Sequence, residues 1–215
     1  MKRFFFEIIF VLITLYFFSC TNQTSSNNDI LKNNDSTGIW PMRVGNVWIY
    51  SITIYDSNNV VTGQWYDTLR IIRDTILGTE KAYILESSHA RLSYASPKPY
   101  YVRTDGVYAD PDGYGTISLL IKYPAMMNEM YLKTINSCDT TTISSLSQTI
   151  STKAGNFNCI KYFRKVHIDN NIYRFSLETC FAVGFGKVRE IYREIPGEPY
   201  HGKKVTELIE YHLIK

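Results

Sequence analysis

This sequence lacks most of the signals that advertise chemistry. It has no excess of one charge: 23 Lys and Arg stand against 20 Asp and Glu, a formal +3 that falls to +2 once Lys2, Arg3 and Glu7 are set aside. That balance leaves no footprint for nucleic acid or for an anionic membrane surface, and no nucleic-acid partner is expected. The four histidines, His89, His167, His201 and His212, contain no i, i+2 or i, i+4 pair. No local metal pair exists, and neither a metal nor a cofactor is expected. No G-x-S-x-G occurs, and the serines gather in polar turns or in the N-terminal tract. Ser87, Ser88 and His89 adjoin, but neighbours on a strand face opposite ways. No catalytic residue is assigned, and the chain is expected not to be an enzyme. A hydrolase whose residues meet only in three dimensions is the alternative from that class.

Two loops come close to a motif without completing one. VGFGK, residues 183–187, holds a G-x-G, yet the VREIYREI that follows alternates as a strand, whereas a phosphate-cradling loop opens a helix. Its glycines are read as turn or bulge residues. DPDGYGT, residues 110–116, starts like a calcium loop, but the position of the closing bidentate glutamate is Ile121. A turn between strands is the expectation there. Cysteine numbers four, and with Cys20 set apart the remaining Cys138, Cys159 and Cys180 are an odd set. That count argues against a disulfide framework. A Cys138–Cys159 bridge would close a loop of about twenty residues and add about 3 kcal/mol; buried free thiols are the alternative.

Long apolar runs are also missing, save one. Residues 4–18 form it, broken by Glu7, and at 15 residues it falls short of the roughly 20 that a membrane helix needs. Lys2 and Arg3 precede it and Ser19-Cys20 ends it, the order of a secretory signal. The segment resembles a bacterial lipoprotein signal, in which a small residue precedes the cysteine that receives diacylglycerol before cleavage. Phe17 and Phe18 stand where that family prefers Leu and then Ala or Ser. The resemblance implies a lipid attachment at Cys20 and a membrane partner through the acyl chains. Thr21, in place of the Asp that marks inner-membrane retention, implies the outer membrane, and the lack of an acidic run after Cys20 implies its periplasmic side. An ordinary secretory signal cut nearby, or an uncleaved anchor, are the alternatives. The tract TNQTSSNNDILKNNDSTG has too little apolar area to offset its ordering entropy and is read as a tether.

What the sequence has in plenty is strand-forming residues. Tyrosine occurs 17 times, β-branched residues abound, and from Trp40 onward the hydrophobic pattern has period two. In WIYSITIY, Trp48, Tyr50, Ile52 and Ile54 share one face. Asp105-Gly106 is the strongest hairpin signal. Ten or eleven strands follow one another at turn distance, which predicts an all-β, mainly antiparallel meander curled into a barrel, half-barrel or sandwich. PAMMNEMYLKTI is the one segment without that pattern, and at most one short helix is expected, over residues 124–132. The domain plan is a signal over residues 1–19, the attachment cysteine and tether over 20–38, and a single β domain over 39–215.

Three landmarks carry a second resemblance. Val44, Gly45, Asn46, Val47 and Trp48 form V-G-x-x-W; Ala154, Gly155, Phe157 and Cys159 form A-G-x-F-x-C; Gly184, Gly186 and Val188 form G-x-G-x-V. In that order they resemble a loosely defined group of secreted bacterial lipoproteins, although Met127-Asn128-Glu129-Met130 stands where the group often has another G-x-x-W. The group implies an extracytoplasmic β fold and no particular chemistry. Function then rests on the aromatics of the first half, Trp40, Trp48, Trp65, Tyr66, Tyr100, Tyr101, Tyr108 and Tyr114. Core and cross-strand packing account for many of them, and Trp48, Trp65, Tyr66, Tyr100 and Tyr101 are the candidates for ligand contact. The expectation is a membrane-anchored binding or structural module with a protein or apolar ligand as partner. The alternative is a half-barrel carrier of lipid or another apolar molecule, with PAMMNEMYL in its lid.

Overall fold

Wherever the sequence alternates with period two, the chain is a strand. The computed structural model describes residues 38–89, 97–110, 116–132, 140–168, 172–194 and 202–214, all within one unit, Asn33–Lys215. The leader, Cys20, the tether up to residue 37, the centre of the DPDGYGT loop, Cys138 and His201 lie outside the described residues.

The first six strands are β1 (Val47–Tyr55), β2 (Val61–Leu77), β3 (Glu80–Ser87), β4 (Lys98–Arg103), β5 (Gly106–Ala109) and β6 (Ser118–Lys122). The second six are β7 (Met130–Leu132), β8 (Thr140–Thr152), β9 (Gly155–Ile168), β10 (Ile172–Ala182), β11 (Gly186–Glu194) and β12 (Lys203–His212). All twelve make one antiparallel sheet in the order β6-β5-β4-β3-β2-β1-β12-β11-β10-β9-β8-β7. Two six-stranded meanders are thus joined by their outer ends, β1 to β12. Register shifts occur in most ladders, among them those at Ile49/Tyr50, Val107/Tyr108 and Cys180/Phe181. Each adds twist and bend, which is how a long sheet curls into a nearly closed barrel.

No helix occurs among the described residues. The segment after Pro124 turns instead: Asn128 takes φ 62, a left-handed conformation that ends any helix. Met126, Met127 and Met130 are 63%, 52% and 67% exposed, and the segment turns Ala125 and Tyr131 to the core, a narrower stripe than a helix face needs. Met130–Leu132 pairs with Thr140–Thr142, a strand too short to show a period. The Asp105-Gly106 turn is built as its residues require. Gly106 has φ 149, and a Cβ there would stand 2.1 Å from the Ile121 carbonyl oxygen of the next strand.

The three landmark motifs meet at one end of the barrel and close it. The Trp48 indole, fully buried, donates from Nε1 to the Phe185 carbonyl at 2.6 Å. The Phe157 ring stands edge-on to Phe185 at 5.3 Å, and Tyr211 to Phe185 at 5.4 Å. Buried Asn46 ties the two ends of the described domain together: its Nδ2 donates to the Pro41 carbonyl at 2.6 Å and its Oδ1 accepts from the Ile214 amide at 2.8 Å. Trp40 folds inward beside Trp48, ring centroids 5.9 Å apart. Gly186 is what admits it, since a Cβ there would lie 2.5 Å from the Trp40 ring. Burying each such side chain is worth about 1.5–3 kcal/mol.

The β8–β9 hairpin adds a second layer. Shifts at Ile143/Ser145 and Ser145/Gln148 bend it, and β8 comes against β11 and β12, which are not its sheet neighbours. Arg189 donates from Nη2 to the Ser151 carbonyl at 3.2 Å. Cys159 and Cys180, both buried, are free thiols, so the Cys138–Cys159 bridge is not made. Burial, with Cys180 alongside, pushes the Cys159 thiol up to about 12, which keeps it neutral and unreactive.

Candidate functional site

Residues paired across an antiparallel ladder share a face. One belt therefore runs along the concave side from Ile52 through Thr206, Glu190, Thr179 and Tyr162 to Ile143. Two of its members, Thr206 and Thr179, are buried polar residues, and Glu190 is a carboxylate inside the barrel.

Behind this belt lies a cavity of about 190 Å³. One wall is Tyr100 of β4 with Leu120 and Ile121 of β6; the opposite wall is Tyr162, Arg164, Thr179 and Phe181. Trp40 contributes to the aromatic part, 5.8 Å from Tyr100 and 5.7 Å from Phe181 between centroids. Lys187 and Glu190 supply charge. Their contact is long, 3.5 Å between Nζ and Oε2, and both side chains are about four-fifths buried. The Lys187 ammonium also lies 5.3 Å from the centre of the Tyr50 ring, while the Tyr50 hydroxyl donates to the Lys187 carbonyl at 3.1 Å. Burial, then the Glu190, Asp67 and Tyr100 charges, hold the Tyr50 phenol well above its ordinary value. Burial and then Glu190 push Tyr100 up to about 12. Both phenols are hydrogen-bond donors at any physiological pH.

The cavity sits directly behind the place where the barrel is not closed by a ladder. β6 and β7 follow each other in sequence yet do not pair. Side chains span the gap: Tyr131 of β7 donates its hydroxyl to the Leu120 carbonyl at 3.0 Å, and Tyr162, reaching across from β9, donates to the Lys122 carbonyl at 2.7 Å. Lys122 and Glu129 form an ion pair at 3.1 Å. Burial raises both phenols.

The five aromatic candidates do not come together. Trp48 is core at the closed end and Tyr100 lines the cavity. Trp65 is paired with Ile52 on the concave face but stacks on the His89 ring at 5.7 Å. Tyr66 points the other way and is 58% exposed, and Tyr101, paired with Ala82, lies on the face opposite Tyr100. Strand alternation forbids the adjacent pairs 65–66 and 100–101 from lining one surface. Asp67 accepts from the hydroxyls of Ser87 at 2.8 Å and Ser88 at 3.0 Å and from the His89 amide at 3.2 Å. This is not a nucleophilic relay, in which the imidazole stands between carboxylate and hydroxyl.

Sequence reasoning passed over Glu190, Arg164 and Lys187. For the first two a signal existed: Glu190 alternates in phase with Val188 and Tyr192, and Arg164 with Tyr162 and Val166, charged residues on an apolar stripe. Lys187 is different, because strict alternation sets it with outward Arg189; the register shift at Cys180/Phe181 pairs it with Phe181 instead. Among the described residues, no cluster of three or more His, Cys, Asp or Glu is fit to hold a metal. A wider depression of about 620 Å³ lies at the far rim, but it takes in Ile54 and Tyr55, neighbours on opposite faces of β1, so it straddles the sheet edge.

No family model matches the chain, and no curated protein matches it. Among solved structures, a protein from Parabacteroides distasonis described as a lipoprotein aligns with TM-score 0.46 and 13% identity over 83% of this chain and 100% of that chain. A protein from Bacteroides fragilis, described as exported and as having a YmcC-like fold, aligns with TM-score 0.51 and 9% identity over 82% of this chain and 100% of that chain. At such identity the likeness is one of fold: the curled antiparallel sheet of this chain is similar in architecture to that YmcC-like fold.

Proposed function

We propose that this chain is a lipid-anchored extracytoplasmic binding module, held through acylated Cys20 at the periplasmic face of the outer membrane, that takes a small molecule into the barrel. The anchor is supported by the leader, with its short apolar run ending in Ser19-Cys20 and the polar tether after it. The observation that carries the binding role is the interior cavity, in which Lys187 and Glu190, in contact only at 3.5 Å, stand among aromatic rings. Charged side chains in a barrel interior work against stability unless they are paired or used. The activity is binding rather than catalysis. A long apolar ligand is disfavoured, because Trp40, Trp48, Tyr50 and Phe181 already fill the closed end and the remaining space is below the roughly 300–1,000 Å³ of drug-sized pockets.

Native mass spectrometry of the protein purified in detergent from its own host tests both halves. The expected spectrum shows a diacylglyceryl modification on a chain beginning at Cys20 and a bound compact molecule. A chain without the lipid mass refutes the anchor. An empty chain refutes the binding role.

A further inference from the structure

We propose that the closed end of the barrel is a membrane-contacting face, whose projecting apolar side chains enter the surface of the lipid bilayer that holds the anchor. The inference rests on the reading of Cys20 as lipidated, and it says which face of the domain meets that bilayer. Residues 21–37, 17 in number, separate Cys20 from Gly38. The Gly38 carbonyl accepts from the Gly184 amide at 3.1 Å, in the landmark turn that closes this end. The domain is therefore held by its closed end. A tether of that length has an r.m.s. reach of roughly 20–25 Å, so contacts too weak to hold a vesicle alone form once the anchor is inserted.

The connections at this end carry apolar side chains where turns ordinarily carry polar ones. β2 outruns its ladder with β1, which stops at Val47 opposite Arg70, so residues 75–77 project with β3 alone. At the tip Ile76 and Leu77 are 64% and 43% exposed, and as strand neighbours they make both faces of the hairpin apolar. Val44 and Ile214, also exposed, share a depression of about 410 Å³ with Asp74, Lys81 and Tyr83 of that hairpin. The same end continues through Glu80, paired with Arg103 at 2.9 Å, and the Asp105 carbonyl, which accepts from the Tyr123 amide at 3.0 Å. Past Tyr123 come Met126 and Met127, each more than half exposed. These six apolar side chains are spread over four separate segments rather than gathered in one groove, which suits a planar, fluid partner better than a peptide. The charges beside them are paired, Lys81 with Asp74 at 2.7 Å and Arg103 with Glu80. Docking is thus by apolar insertion, and zwitterionic lipid suffices.

The test places the acylated protein in phosphatidylcholine nanodiscs and follows its methionine methyl and indole N–H signals by NMR. Met126→Leu, Met127→Leu and Trp65→Phe assign the signals. Line broadening is read from a lipid with a nitroxide in its acyl chain and, separately, from a water-soluble nitroxide. The lipid nitroxide is expected to broaden the Met126 and Met127 methyls and to leave the Trp65 indole sharp, since Trp65 lies twelve residues up β2 from Leu77, about 40 Å at strand rise. Ile76→Asp combined with Leu77→Asp is expected to cut that lipid broadening about threefold and to open both methyls to the water-soluble nitroxide. The variant protein still co-elutes with the discs through its anchor, and an unchanged Trp48 indole signal shows that it is folded. If the wild-type methyls meet the water-soluble nitroxide and not the lipid one while the protein co-elutes with the discs, the docking face is overturned and the anchor stands. If they are shielded from both nitroxides, protein covers the face, a second copy of this chain for instance, and the lipid assignment is overturned. A protein that does not associate with the discs at all refutes the anchor, and the docking face falls with it.

Discussion

The barrel has two junctions between its meanders, and they are made differently. At β1–β12, the two ends of the domain meet in mid-sheet, and all nine residues of β1 have ladder partners on β12 and again on β2. At β6–β7, strands consecutive in sequence face each other with no ladder, and β6 is held by one tyrosine hydroxyl from β7, one from β9 and one ion pair. The junction with the longest loop closure is thus the stronger. Backbone ladders are cooperative and fix register, whereas a few side-chain bonds, each worth about 1 kcal/mol net, permit local opening. The cavity lies against the weaker junction, where Leu120 and Ile121 form its wall.

Substitutions at the two junctions should separate in size. Trp48→Ala, at the strong one, removes a fully buried ring together with its bond to the Phe185 carbonyl, and is expected to lower unfolding free energy by about 3–5 kcal/mol in denaturant titration. Tyr162→Phe, at the weak one, removes the donor to the Lys122 carbonyl and is expected to lower it by about 1 kcal/mol. A loss as large as that of Trp48→Ala would abolish the contrast between the junctions.

The smallest effect concerns acid stability of the ladder β9–β10–β11. Burial works against the Glu178 charge, but hydrogen bonds from Lys161, at 2.6 Å, and from Arg193 outweigh it and hold the carboxyl below its ordinary value. The stabilisation is therefore present above the unfolded value, near pH 4.3, and is lost as pH falls through the lower folded value. Glu178→Gln should flatten the acid limb of stability against pH, measured by thermal melts between pH 3 and 7, and an unchanged limb would count against the pairing.

The strands were legible because their apolar residues alternate: WIYSITIY places Trp48 and Tyr50 inward as their period requires. The closing strand β7 was not, since three residues cannot display a period and its Met130 faces solvent. The pairing of β1 with β12 was also out of reach, because no local pattern reports which distant strand completes a sheet. At the site, Tyr100 was singled out by composition, and Glu190 and Arg164 by phase could have been. Lys187 depended on a register shift that arises in three dimensions, and Trp40 was visible as an aromatic but not as part of the cavity wall. The landmark glycines were legible as backbone residues, and Gly186 shows what that means physically, a missing Cβ where an indole packs.

Hydrogen exchange of the ligand-free protein, resolved to single amides, tests the contrast between the junctions most directly. The account predicts that amides of β1 and β12 exchange only through global unfolding, while those of β6 and of residues 126–132 exchange orders of magnitude faster through local opening. Equal protection at the two junctions would contradict it.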